Sequence, residues 1–570
     1  MDYQRETRGL NFFEADTNLR DVLRRVDRNA WSRWHEDLSS FGAWVGGTVD
    51  AEAEYTDRYG APTLKNYDLD AAIANKVVHN PAWEAVSQEV YRRGVVGLNY
   101  GNDPAPFVIT YAMGYLLSQS DVSLHCPVTM TGAVAYVLDR HAPAAVRDKY
   151  LHQLTRRDGQ ALTGGTWATE YHGGSDVGAT TTTVRNEGDH VRLNGLKWFV
   201  SNIDGGIGLV TARPDRAPDG TAGLGLYLVP SRLDDGSLNP MRIRRLKDKL
   251  GTCGVPTGEL DLVDTYAVEV APPPDGFKMM MKALEISRVH NAMASVGLQR
   301  RAFLETISYA THRQAFGSTI TAYPMVQDEI LDMLVELEAD CALAFEAATV
   351  FDAEQDDQSQ QPWLRLATAL AKFRTSENAN ESCRRAIEVI GGNAYTYDLV
   401  TPRLLRDAQV TTVWEGPANI QALEVLRMLS KRHPGFDAFT ERVESVVESA
   451  PSALNDLSDA VAQAITECRE AVELVLTDRG LAQRHARRLM RLLADTLAAA
   501  LVLEEASLKY AEGDCRKALV AERFISRHFL QPTRRGILAS ADRSNELFYE
   551  LVTYQAIDLP LATNRLRTAN

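Results

Sequence analysis

The decisive stretch is ATEYHGGSDVGATTTTVR at residues 168–185, followed by LNGLKWFVSN at 193–202. Gly and Thr are dense here, and strand signals alternate from Ala161 to Ala271: TTTTVR, HVRLNGLKWFV, GIGLVTAR, GLGLYLV and GELDLVD. Turns at 186–189, with Gly188, and at Pro218–Gly220 separate them. APPPDG at 271–276 closes the block like a hinge.

On both sides the pattern turns helical. From Asp50 to about Arg156, stretches such as Trp83–Tyr91 and Val108–Ser118 repeat apolar positions three and four apart. Upstream, NLRDVLRRVDRNAW reads as one amphipathic helix. Helical periodicity resumes at Phe277 and runs to about Lys431, interrupted at IGGNAYTYD and WEGPANI. HPGF at 433–436 marks a further boundary, and long helices follow, including Leu481–Ala506. No repeat of fixed period is present. The expected divisions are a 1–49 extension, a helical domain at 50–160, a β domain at 161–275, a four-helix domain at 276–431 and an additional helical domain at 432–570. The fold class is α+β, mainly α.

The 570 residues carry 61 Lys+Arg against 76 Asp+Glu, a net charge of −15, which argues against wholesale nucleic-acid binding. Apolar residues at 45% are too many for disorder. No apolar run reaches the roughly 18–20 residues of a membrane helix, and the first residues lack a secretory core, so a soluble cytoplasmic protein is expected. The six cysteines are scattered without CxxC or a Cys/His cluster, so neither a metal site nor a disulfide framework is expected.

The β block resembles the acyl-CoA dehydrogenase family, whose middle domain carries T-E-x-x-x-G-S-D and then G-x-K-x-W/F-x-T/S-N. Further matches follow in the family's order: KDKLG at 247–251, DGFKMMMKALEISR at 275–288, RQAFG at 313–317, EVIGGNAY at 388–395, RLLRDA at 403–408 and VWEGPANIQ at 413–421. HNPAWE (79–84), LHCPVTMT (124–131), the form KWFVS, Trp before EG and the long C-terminal extension resemble the AidB-like branch, adaptive-response flavoproteins. The resemblance implies an N-terminal α domain, a middle β domain and a C-terminal four-helix domain, here with an extra helical domain. It also implies FAD, an acyl-CoA substrate, a separate electron acceptor and a homotetramer built as a dimer of dimers.

Each site residue below is implied by that resemblance. The reaction is α,β-desaturation, in which a carboxylate removes the α-proton and the β-carbon delivers hydride to flavin N5. Glu415 stands at the position of the catalytic base; some members place it before the Arg of a D-x-E-R helix, where this chain has Ser287. Ala168, Thr169, Gly174 and Ser175, then Phe199, Val200 and Ser201, match flavin contacts. Arg313 and Phe316 match residues reaching the pyrophosphate of a neighbouring subunit's FAD, and Gly391, Gly392, Trp414 and Asn419 complete the set. Arg288 matches an acyl-CoA contact. Pro324 replaces a frequent Gln, and Pro417 replaces a hydroxyl residue.

Residues 431–570 hold 19 Lys+Arg and 20 Asp+Glu, a net of −1, leaving −14 on the rest. Arg484, Arg487, Arg488 and Arg491 fall on one helix face, with Arg534-Arg535 as a second cluster, so DNA phosphates are a candidate ligand. Two further functions are weighed: an AidB-like DNA-associated protein protecting against alkylation with residual dehydrogenase activity, and a flavin oxidase of the same fold. LADTLAAALVLEEASL lacks the basic flanks and bulky aromatics of an interfacial helix, so packing against the body is expected instead of a membrane.

Overall fold

The computed structural model describes residues 7–430, 434–530 and 544–558, and divides into two units, residues 44–290 and residues 1–43 with 291–570. The chain opens with α1 (Thr17–Val26) and α2 (Arg28–Trp44). The single helix read over NLRDVLRRVDRNAW is thus two. Asp27 ends the first, and its carboxylate caps the second by accepting Asn29 N–H at 3.0 Å and Ala30 N–H at 2.9 Å.

In the 44–290 unit, α3 (Asp50–Tyr59) precedes a hairpin of β1 (Thr63–Tyr67) and β2 (Ile73–Val78). The helical pattern read across 50–156 did not include this hairpin. Then come α4 (Pro81–Arg92), α5 (Phe107–Ser118), α6 (Val122–His141) and α7 (Ala144–Leu154). Asn80 caps α4 with Pro81 at its first position, and Asp121 caps α6.

The strand block comprises β3 (Gly164–Trp167), β4 (Thr183–Asn186), β5 (Val191–Ser201), β6 (Ile207–Pro214), β7 (Gly225–Pro230), β8 (Met241–Leu246) and β9 (Thr257–Ala271). Pairing runs β6–β4–β5–β9–β7 and returns to β6, so the sheet closes on itself, with β3 added on β6 and β8 on β9. Closure removes sheet edges. Trp167, Leu193, Val200, Val210, Tyr227 and Leu260 fill its interior.

Two imidazoles far apart in sequence meet inside this unit. Ser118 Oγ lies 2.7 Å from His125 Nδ1, and His125 Nε2 lies 3.0 Å from His290 Nδ1. Burial pushes His125 down to about 3 and lowers His290 as well, so both rings are neutral and one N–H joins them. Gly114 on α5 makes the approach feasible: a Cβ there would stand 2.6 Å from His125 Nε2 and 3.0 Å from His290 Nδ1. Gly114→Ala is expected to cost about 3 kcal/mol through overpacking and loss of the buried hydrogen bond. Denaturant unfolding checks this, and an unchanged midpoint contradicts it.

The helix α8 (Asp275–His312) begins in the 44–290 unit and its residues from Asn291 onward belong to the other, where it leads to the β10 (Gln314–Ala315) and β11 (Ser318–Thr319) hairpin. That unit continues with α9 (Pro324–Asp356), α10 (Gln361–Ile390), α11 (Thr401–Thr411) and α12 (Ala418–Met428). The extension adds α13 (Gly435–Ser449), α14 (Asn455–Leu476), α15 (Arg479–Ala511), α16 (Arg516–Ile525) and α17 (Phe548–Val552). The boundary read at 433–436 falls partly outside the described residues. Among those described, no helix is long and apolar enough to cross a membrane, and no group of three or more His, Cys, Asp or Glu is placed to hold a metal.

Buried charge joins the extension to α9 and α10. Arg374 reaches Asp340, Glu336 at 2.6 Å and Asp495 at 2.9 Å; Arg516 and Lys517 reach Glu338 at 2.5 and 2.7 Å. His528 sits 2.8 Å from Glu336 and 3.5 Å from Asp495. Burial opposes the His528 charge, yet these carboxylates raise the imidazole to about 9. Because the folded value exceeds the unfolded one, this stability is complete below about pH 6.5 and is lost as pH rises through 9. His528→Gln is therefore expected to be destabilised at pH 6 by up to about 3 kcal/mol, with the gap from the parent narrowing by pH 10. Parallel unfolding curves at the two pH values read it out; an equal gap at both contradicts the linkage.

Candidate active site

Within the 44–290 unit, the two quoted motifs meet at one end of the barrel. Trp198 N–H donates to Thr169 O at 2.9 Å, placing the segment after β3 beside the end of β5. Glu170 and Lys197 lock this crossing from beneath. Lys197 Nζ is fully buried, 2.9 Å from Glu170 Oε1 and 2.8 Å from Thr211 O. Glu170 also accepts the backbone N–H and hydroxyl of both Thr181 and Thr182. Burial alone would raise its carboxyl, but Lys197 and the threonines hold it at about 2.

Above that lock, Ala168 and Thr169 are half-buried, Gly174 and Ser175 are exposed, and the Phe199 ring is 56% exposed despite its size. Ser201 Oγ is 2.9 Å from Thr257 Oγ1. A Cβ on Gly174 would lie 2.7 Å from Thr169 Oγ1, so glycine permits that close approach. Val200 is fully buried and belongs to the barrel core, so the structure exposes no part of it to a ligand. Lys247 Nζ stands 3.5 Å over the Trp198 ring and 4.9 Å from that of Phe199. An open aromatic face, flanking hydroxyls and a closely approachable glycine fit a flat, hydrogen-bonding cofactor ring. Arg288 is also in this unit and is 7% exposed.

Within the other unit, Glu415 occupies the turn between α11 and α12. It is half-buried and has φ of 58°, followed by Gly416 at 96°. The alternative base position, Ser287, belongs to the 44–290 unit, is 1% exposed and donates its hydroxyl to Ala283 O at 3.2 Å. Trp414 precedes Glu415 and donates its indole N–H to Asn291 Oδ1, and Asn419 is exposed in the first turn of α12. Gly391 ends α10 at φ 82°, and a Cβ on Gly392 would meet nothing within 4 Å. Arg313 and the 98%-exposed Phe316 belong to the β10–β11 hairpin. Tyr309, Ile320, Ile390, Ala394 and Leu399 pack together, bringing that hairpin beside the Gly391–Gly392 turn.

The arginine row lies on α15 with all four members exposed. Arg487 and Arg491 stand 3.8 and 3.9 Å from Glu377, and Arg491 also covers Phe373. Arg534-Arg535 lies outside the described residues. Glu170, Lys197, Asn291 and Gln421 were not singled out as site residues, although Glu170, Lys197 and Gln421 stand inside the quoted motifs.

Three family models match in order: the adaptive response protein AidB N-terminal domain at 4–159, the acyl-CoA dehydrogenase middle domain at 165–265 and the acyl-CoA dehydrogenase C-terminal domain at 274–430. Acyl-CoA dehydrogenase family member 11 of Caenorhabditis elegans is 34% identical over 457 residues, covering 77% of this chain and 73% of the relative. The putative acyl-CoA dehydrogenase AidB of Escherichia coli (strain K12) is 32% identical over 444 residues, covering 76% and 80%. The crystal structure of C. elegans ACDH-11 in complex with C11-CoA superposes with a TM-score of 0.86 at 29% identity, covering 95% of each chain. The chain belongs to the acyl-CoA dehydrogenase family of FAD-dependent oxidoreductases. Its N-terminal match and its AidB relative put it among the AidB-like members, as its motifs led us to expect.

Proposed function

We propose that this protein is an FAD-dependent acyl-thioester dehydrogenase with Glu415 as the catalytic base. The observation that carries this is the contrast between the two candidate base positions. Glu415 offers a half-buried carboxyl on a constrained turn, while Ser287 is a buried helical hydroxyl already bonded to its own helix. Glu415 takes the substrate's α-proton. FAD, when bound against these residues, would supply the hydride-accepting chemistry.

Thr169, Ser175, Phe199 and Ser201 fit the ring and its polar edge; Arg313 and Phe316, with the Gly391–Gly392 turn, fit a dinucleotide's phosphates. An acyl-CoA substrate is supported by the C11-CoA bound in the C. elegans structure. Arg313 and Phe316 on an exposed hairpin suit contact with a neighbouring subunit, giving at least a dimer. The arginine row lends DNA binding less support, because Glu377 already faces two of its four charges. The test is anaerobic titration of the yellow protein with acyl-CoAs of graded chain length. Prompt flavin bleaching by one length class is expected. No bleaching by any thioester, from flavin that dithionite does reduce, contradicts the proposal.

A further inference from the structure

We infer that Gln421 is a positioning residue for Glu415, its amide holding the turn from below while Asn291 holds the neighbouring indole; this rests on Glu415 being the base. The turn needs such a device. Two consecutive residues, Glu415 and Gly416, take left-handed backbone, which a glutamate side chain disfavours. Pro417, next in line, has no N–H to close the turn.

Gln421 is fully buried on the first turns of α12, and its Nε2 donates to Glu415 O and Gly416 O, both at 3.0 Å. With two carbonyls as partners, the nitrogen must be the end facing them. The other end, Oε1, is buried with no hydrogen-bond partner. A methionine or leucine could fill the same space without stranding a polar atom, so packing does not explain the amide. Holding two carbonyls of a strained turn does.

The upstream side is held independently. Asn291 Oδ1 accepts the Trp414 indole N–H, and Asn291 Nδ2 donates to Ser376 Oγ at 3.0 Å. The Ser376 hydroxyl in turn lies 3.0 Å from Thr411 O, at the end of α11. Glu415 is therefore fixed through residues 411 and 414 before it and through its own carbonyl after it. A base displaced by about 1 Å loses on the order of 100-fold in rate, so this support acts on catalysis more than on binding.

The test uses the full chain with FAD bound, comparing the parent with Gln421→Met. Amide hydrogen exchange over residues 412–418 is expected to rise at least about tenfold, with α9 unchanged. The kcat for flavin reduction by the best acyl thioester is expected to fall about 100-fold with little change in KM. In a Glu415→Gln background, Gln421→Met is expected to slow nothing further. Unchanged exchange at 412–418 overturns the clamp whatever the kinetics; raised exchange with unchanged kcat overturns its positioning role. Full-speed reduction by Glu415→Gln alone would fell the base assignment instead, while exchange still decides the clamp. If Gln421→Met does not fold, Gly416→Ala serves, because its Cβ would stand 2.8 Å from the Gln421 amide nitrogen; the same exchange and kcat changes are expected.

Discussion

Glu415→Gln is expected to keep FAD bound and to lower the rate of flavin reduction by acyl thioester about 10²–10⁴-fold, the usual share of a positioned general base. The amide is nearly isosteric, so the turn survives: Gln421 binds the backbone carbonyls of residues 415 and 416, which the change does not touch. What is lost is only the capacity to accept a proton. Glu415→Asp, retaining the carboxylate but drawing it back by one methylene, should fall between, by about 10–100-fold. Stopped-flow reduction under anaerobic conditions separates the three proteins. A Gln variant reduced as fast as the parent would remove Glu415 from the mechanism.

The sequence made the chemistry of this turn readable but not its support. VWEGPANIQ announces an acidic residue before glycine, and Gly416 does take positive φ; that Glu415 takes it too cannot be read from residue type, because only Gly, Asn and Asp enter that region readily. The barrel was visible wherever apolar and polar residues alternate over five or more positions, as in HVRLNGLKWFV. Four strands escaped for different reasons. GGTW lacks side chains to alternate, MRIRRL reads as a charged surface, and the hairpin formed by TLKNY and IANKVV leaves both strands largely exposed, with no apolar face to mark it. The helix face of the arginine row was readable from spacing; that Glu377, more than a hundred residues earlier, faces two of its members was not. The pairing of His125 with His290 likewise lies 165 residues apart and depends on a glycine whose role no local pattern reveals.

Lys197→Met is expected to be the most damaging single change in the barrel, costing about 3–5 kcal/mol, because it leaves the Glu170 carboxylate buried without its cation. The loss should depend on pH. In the parent, the Glu170 carboxyl is held at about 2, below its unfolded value near 4.5, so the pair's contribution is present above about pH 4.5 and fades as pH falls toward 2. Without the ammonium the carboxyl value rises, so the variant should recover part of its deficit by pH 5, where protonation neutralises Glu170. Glu170→Gln in the same chain should recover more, since no buried charge then lacks a partner. Flavin retention should follow stability: Glu170 adjoins Thr169, and Lys197 is two residues before Phe199, so their ion pair sets the relative height of the two segments expected to meet the cofactor. Urea unfolding of the three proteins at pH 5 and 7.5, with bound flavin measured alongside, tests the chain of effects. A Lys197→Met protein within 1 kcal/mol of the parent at pH 7.5 would show that the threonine donors alone sustain the buried charge.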